Sequence, residues 1–284
     1  MQARKPMSVG NTDYVWQRVV PRSDRGNAPE PDIALLERLA RRELWRDERS
    51  LKPLPVCAEI GSDDWFEAIA TRRFERHGRW IPHLFKFDRY RDETILAFGD
   101  TLGLEWAEFA KKHAKLIVVD PSTTYLDTIQ AHFHARNLSA TYHHSFYNRV
   151  PIADESVDVV AVFFNHMNLE NLCSIIETAQ RVLRPGGRFM GVVPASRNMS
   201  DVKRWLRPWA PPGELPGSMI AKQIKEQLTG FNAAKIRKRG LKRSQVPYLL
   251  RIYSLGLLER LFGYYHFIRA YKPFQPPQAI RLAA

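Results

Sequence analysis

Two rhythms of apolar residues run along this chain and divide it. From Ile33 the pattern is helical, with Ile33, Leu36, Leu39, Ala40 and Leu44 along one face and Asp32 placed to cap them. Arg38, Arg41, Arg42, Arg46 and Arg49 dominate the other side. The expected helix packs on a core with its basic face solvated; the same face would also suit an anionic surface. Pro53 and Pro55 interrupt the pattern. Gly61-Ser62-Asp63 then opens a helix carrying Trp65, Phe66, Ile69 and Phe74, and Trp80, Phe85 and Phe87 form an aromatic connector.

At Thr94 the rhythm changes. Apolar runs at Thr94–Phe98, Lys115–Val119, Ala140–Ser145, Val157–Phe164 and Arg188–Val193 read as strands. Helical patterns at Glu105–His113, Tyr125–Arg136 and Leu169–Leu183 fall between them. Such alternation predicts an α/β fold whose parallel sheet is wrapped by helices. Beyond Val193, Pro208, Pro211, Pro212, Gly213, Pro216 and Gly217 mark a loop, followed by a helix near Ser218–Leu228. A basic strand region at Asn232–Lys242, a helix near Pro247–Leu261 and a last strand at Tyr264–Tyr271 complete the pattern. Residues 1–31 hold Pro6, Pro21, Pro29 and Pro31 without apolar period and read as a flexible arm. The expected organisation is this arm, a helical extension over 32–90, a main domain over 91–273 and a tail over 274–284.

The stretch Arg181-Val182-Leu183-Arg184-Pro185-Gly186-Gly187-Arg188-Phe189 joins a helix end to a strand through a tight turn. Pro185 cannot continue the helix, and Gly186 and Gly187 tolerate the positive φ of a reversal. Upstream, Val150-Pro151-Ile152-Ala153-Asp154-Glu155-Ser156-Val157-Asp158-Val159-Val160 leads into the preceding strand. Together these segments resemble the class I, Rossmann-like S-adenosylmethionine-dependent methyltransferases. The resemblance covers roughly the last two-thirds of the chain. It implies a mostly parallel seven-stranded sheet with helices on both faces and an antiparallel C-terminal hairpin, and S-adenosylmethionine as cofactor.

The resemblance also implies site residues. Ile95-Leu96-Ala97-Phe98-Gly99-Asp100-Thr101-Leu102-Gly103 lies where the family has its first strand and glycine-rich turn. Gly99 and Gly103 keep the pattern, with Asp100 and Thr101 between them. Thr101 stands for the family's middle glycine and Ala97 for its acid; Asp100 or Glu105 could supply that charge from nearby. Asp120, about twenty residues past the turn, matches the acid that accepts hydrogen bonds from the ribose hydroxyls; a helix cap after a strand would use the same residue. Where the family places an acid against adenine, this chain has Phe146 and Tyr147, which could stack on the base or close the pocket. The loop Asn165-His166-Met167-Asn168 would face the methyl acceptor. His166 there is a candidate general base, though a lone histidine among aromatics is more often structural.

Composition changes this picture in one respect. The 284 residues carry a formal net charge of +13. Lys222, Lys225, Lys235, Arg237, Lys238, Arg239, Lys242 and Arg243 concentrate much of it, with Glu226 as the opposing charge read from the sequence. On an alternating strand such a run places like charges side by side unless an anion binds. An acidic protein partner, nucleic acid or lipid head groups at 235–243 would each fit, or else an ordinary solvated face. Cys57 and Cys173 lack metal or disulfide spacing. His143 and His144 point to opposite faces of their strand, so no metal is implied. The most apolar stretch is broken by Arg251, Glu259 and Arg260, which argues against a membrane span, and the N-terminus has no secretory pattern. The expected protein is a cytoplasmic methyltransferase, with a non-catalytic methyltransferase-like scaffold as the alternative.

Overall fold

A computed structural model describes residues 32–44, 54, 56–99, 102–164, 169–206 and 219–274. Three helices come first: α1 (Ile33–Glu43), α2 (Asp63–Arg72), which runs on into a π-helical turn at Arg73–His77, and α3 (Trp80–Phe85). Asp32 caps α1 by accepting the Ala34 and Leu35 N–H groups, and Ser62 caps α2 by accepting that of Trp65. The aromatic connector foreseen from the sequence is thus partly helical. Burial of Ile81 and Phe85 on one side explains it.

The sheet comprises β1 (Thr94–Phe98), β2 (Lys115–Asp120), β3 (Thr141–His144), β4 (Val157–Phe163), β5 (Leu183–Pro194), β6 (Asn232–Arg239) and β7 (Tyr265–Tyr271). Their order is β3-β2-β1-β4-β5-β7-β6. Pairing is parallel from β3 through β5, and β7 runs antiparallel to both β5 and β6. This is the mostly parallel seven-stranded, Rossmann-like sheet with a closing antiparallel hairpin that the sequence implied.

Alternate strand residues feed two cores. One face joins Ile95, Ala97, Val118, Phe163 and Phe267 to aromatics of α3, α4 (Leu104–Lys111) and α5 (Thr123–Ala135). The other joins Leu96, Phe98, Val160, Val162 and Ile268 to α6 (Leu169–Val182) and α8 (Ala221–Gln227). A third core packs α1 and α2 on Leu102 and Leu104, so the N-terminal helices sit on the turn that follows β1.

The Pro-Gly-Gly segment enters β5 directly. Gly186 takes φ +78 and its N–H donates to the Lys272 carbonyl. Arg181 reaches from the end of α6 to the carbonyls of Val150 and Ile152, and Arg184 pairs with Asp158 at 2.7 Å. Asp158 also accepts the Thr94 N–H at 2.7 Å. The motif therefore stitches three strand entries together, which accounts for its spacing.

The C-terminal helix is shorter than its apolar pattern predicts. Pro247 and Ser254 divide the stretch into 3-10 turns at Arg243–Gln245 and Tyr248–Leu250 and a helix α9 (Leu255–Phe262). Ser254 caps α9 by accepting the Leu257 N–H. α7 (Met199–Leu206) packs with it on a small satellite core that includes Met199, Leu241, Val246 and Leu258.

Candidate cofactor site

The carboxyl ends of β1, β2 and β4 meet at the turn after β1. Gly99 has φ +155, and a Cβ placed there would lie 2.1 Å from the Phe163 carbonyl oxygen. Gly103 has φ +74 and opens α4; its Cβ would lie 2.9 Å from Ile129. Both glycines are thus required by the protein's own packing, and both bring backbone close to the crevice where open α/β sheets bind ligands. Asp100 and Thr101, between them, lie outside the described residues.

Asp120 ends β2 and is only 1% exposed. Its Oδ1 accepts the Ser122 N–H at 2.8 Å, which shapes the entry to α5. A hydroxyl brought to this carboxylate would find it shielded from water, where a hydrogen bond is stronger. His144, its register neighbour on β3, donates through Nε2 to the Pro121 carbonyl.

Phe146 and Tyr147 part ways. Phe146 is 69% exposed beyond the end of β3. Tyr147 is half-buried, edge-on to Phe98 and Phe164, and its carbonyl accepts from Thr178. Of the pair, Phe146 has the free ring face that adenine stacking needs, while Tyr147 packs as part of the core. His166 and the rest of the Asn165–Asn168 loop lie outside the described residues.

Two features were not legible beforehand. Arg73 is fully buried beneath the turn; its Nε donates to Glu105 Oε1 at 2.6 Å, its Nη1 donates to the Glu43 carbonyl at 2.7 Å, and it is ion-paired with the Glu43 carboxylate. Burial disfavours its charge, but Glu105 and Glu43 outweigh that and hold the guanidinium above its ordinary value. Glu105 is therefore committed to Arg73, which corrects the idea that it replaces the acid missing at Ala97. Second, His132 of α5 is fully buried, stacked on Phe66, with Nδ1 donating to the Leu102 carbonyl at 2.8 Å. Burial lowers its pKa to about 4. Both residues hold the glycine-rich turn from beneath. Their partners are some thirty residues away in sequence, so no local pattern marks them.

The basic run resolves into separate jobs. Lys238 donates to the carbonyls of Ser196, Arg197 and Leu261, Arg243 to those of Tyr253 and Arg251, and Arg239 pairs with Glu259 at 3.1 Å. Glu226 is thus not the only acid opposing the cluster. Lys235 and Arg237 stay exposed on β6, the outermost strand, where charge also discourages edge-to-edge pairing. Among the described residues no group of histidine, cysteine and acid is arranged to hold a metal, and no helix is long and apolar enough to cross a membrane.

Comparison with known proteins agrees with this architecture. Residues 95–187 match the family model described as a methyltransferase domain. The ubiquinone/menaquinone biosynthesis C-methyltransferase UbiE of Rubrivivax gelatinosus is 31% identical over 111 residues, which is 39% of this chain and 39% of that enzyme. The chain therefore matches well under half the length of that curated relative. An S-adenosylmethionine-dependent methyltransferase from Mesorhizobium loti superposes with a TM-score of 0.51 at 15% identity, covering 70% of this chain and 99% of that one. The [4+2]-cyclase SpnF gives a TM-score of 0.53 at 15% identity, covering 85% and 94%. Residues 95–187 thus match a methyltransferase domain, and the sheet built around them has the fold of an S-adenosylmethionine-dependent methyltransferase. That a cyclase shares the fold shows that the fold alone does not set the reaction.

Proposed function

We propose that this protein transfers a methyl group from S-adenosylmethionine to a nucleophile. The observation that carries the reading is Asp120, a buried carboxylate at the carboxyl end of β2, beside a glycine-rich turn in a sheet of methyltransferase order. The proposed contacts are backbone at Gly99 and Gly103 for the methionine end, with Asp100 and Thr101 between them in sequence, Asp120 for the ribose and the exposed ring of Phe146 for adenine. When bound, the sulfonium supplies an activated methyl and a neutral leaving group. The chain's own work is then alignment and exclusion of water, so no catalytic triad is required. His166 and its loop are assigned to the acceptor side. A carbon acceptor is the class we place first, because the curated relative is named for C-methylation.

The test is calorimetric titration of the full chain with S-adenosylhomocysteine. Binding by the wild type and a loss of ~1–3 kcal/mol in Asp120→Ala support the reading. An unchanged dissociation constant removes Asp120 from the site.

One observation favours a second reading, a methyltransferase-like binding subunit. Ala97 is fully buried where the family has its acid, and Glu105 is bound to Arg73. The missing acceptor for the cofactor's ammonium group is worth about 1.5–3 kcal/mol. Absence of wild-type binding at millimolar cofactor, with a folded protein, decides for the subunit.

A further inference from the structure

The segment between β6 and β7 leaves an apolar surface outside the fold. Tyr248, Leu249 and Ile252 are 83%, 73% and 82% exposed. Leu257 and Leu261, one turn apart on α9, continue the surface. On the inner side Leu258 is buried in the satellite core, packed with Leu255 and Phe262. α9 is therefore apolar on both sides, as expected of a helix that is buried on both. Apolar exposure on this scale marks a contact surface.

Charge says what kind of contact. The stretch 232–262 contains eight lysines and arginines and one acid, Glu259, which is taken by Arg239. Arg260 lies between Leu257 and Leu261 on α9 and also lines a cavity of about 690 Å³. Arg237, Lys238 and Arg239 of the edge strand line the same cavity. Apolar side chains thus project beside a hollow whose lining cations outnumber the acids near them, Glu259 on Arg239 and Asp201 near Lys238. Tyrosine with an apolar body and polar tip, and arginine with an apolar stem and charged head, are the side chains that settle at a lipid–water boundary. A protein partner would need a groove deep enough for Ile252 and Tyr248 and acidic around its rim; an anionic bilayer offers both the depth and the charge at once.

We propose that the 248–261 surface, with Arg237 and Arg260, seats this protein on an anionic lipid membrane, phosphate headgroups entering the cationic cavity. The contact is peripheral, made by an amphipathic surface lying in the headgroup region. It is independent of methyl transfer.

Flotation of the purified full chain with vesicles tests it. We expect binding to phosphatidylcholine vesicles containing phosphatidylglycerol, at least about tenfold weaker binding to phosphatidylcholine alone, and release as salt rises. Arg237→Gln with Arg260→Gln should weaken binding by about fivefold per charge. Ile252→Ser with Leu257→Ser should weaken it by about tenfold or more. All four positions are exposed, and thermal melting of each variant verifies the fold. Failure of the wild type to float with anionic vesicles overturns the proposal, as does undiminished binding by the Ile252→Ser, Leu257→Ser variant. A dimer that these substitutions convert to monomers, without lipid binding by the wild type, would assign the surface to a second copy of the chain instead.

Discussion

Replacing Arg73 with methionine keeps most of the side chain's length and removes its charge. The site around it is dry: Arg73, Glu43 and Glu105 are each 1% exposed or less. The guanidinium also lies 4.8 Å above the Phe163 ring, whose residue supplies the carbonyl against Gly99. Without Arg73, Glu105 loses the guanidinium that donates to it and Glu43 loses the ion pair it makes there. Removing one partner of a buried pair costs about 3–5 kcal/mol, and here the loss reaches two acids. A domain of this kind has ~5–15 kcal/mol in total, so a third or more of its stability would go. Urea unfolding followed by circular dichroism measures the loss. Adding Glu105→Gln discharges one of the stranded groups and should recover about 1–3 kcal/mol. Because Glu105 lies in the first turn of α4, just after the glycine-rich turn, cofactor binding should weaken in Arg73→Met even where the protein remains folded. A variant within ~1 kcal/mol of wild type would refute the reasoning, since it would mean that the two acids reach water or protonate at no cost.

Two more predictions concern pH and backbone. Burial holds both His132 and His266 at a pKa of about 4 when folded, below their ordinary 6.5. Each contributes stability that is present above pH 6.5 and lost as pH falls through the folded value, about 3 kcal/mol apiece at the limit. Stability from urea titrations should fall steeply between pH 6.5 and 4, less so in His132→Gln; a flat profile contradicts the assignment. Gly99→Ala would press a methyl against the Phe163 carbonyl oxygen, a backbone atom that cannot turn away, and should cost ~3 kcal/mol or more. Gly191→Ala meets nothing closer than 3.6 Å and should cost under ~1 kcal/mol. Equal melting temperatures for the two alanine variants would discount the crowding at Gly99.

The division between what was legible and what was not follows from the range of the forces involved. Apolar periodicity reports which face of an element is buried, so the strands from Thr94 to Val193, the helices between them and the parallel sheet their alternation implies could be read directly. Pro185-Gly186-Gly187 and Asp120 were legible for a related reason: a turn's φ demands and a strand-end acid are local. The helix expected over Pro247–Leu261 forms only from Leu255 on, because composition does not tell a helix packed on one side from apolar turns left outside the core. Partnership is not local at all. Lys238 reads as one more surface cation until the fold brings three carbonyls to it, and Glu105 as a spare acid until Arg73 arrives from beneath. Phe146 and Tyr147 are neighbours of like chemistry, and only the packing around β3 leaves one ring open and closes the other. The sequence by itself determined the sheet, its turns and the acid at the end of β2. The tertiary structure decided which charges are already spent, because a charge's role depends on the partners and the water that the folded chain leaves within reach of it.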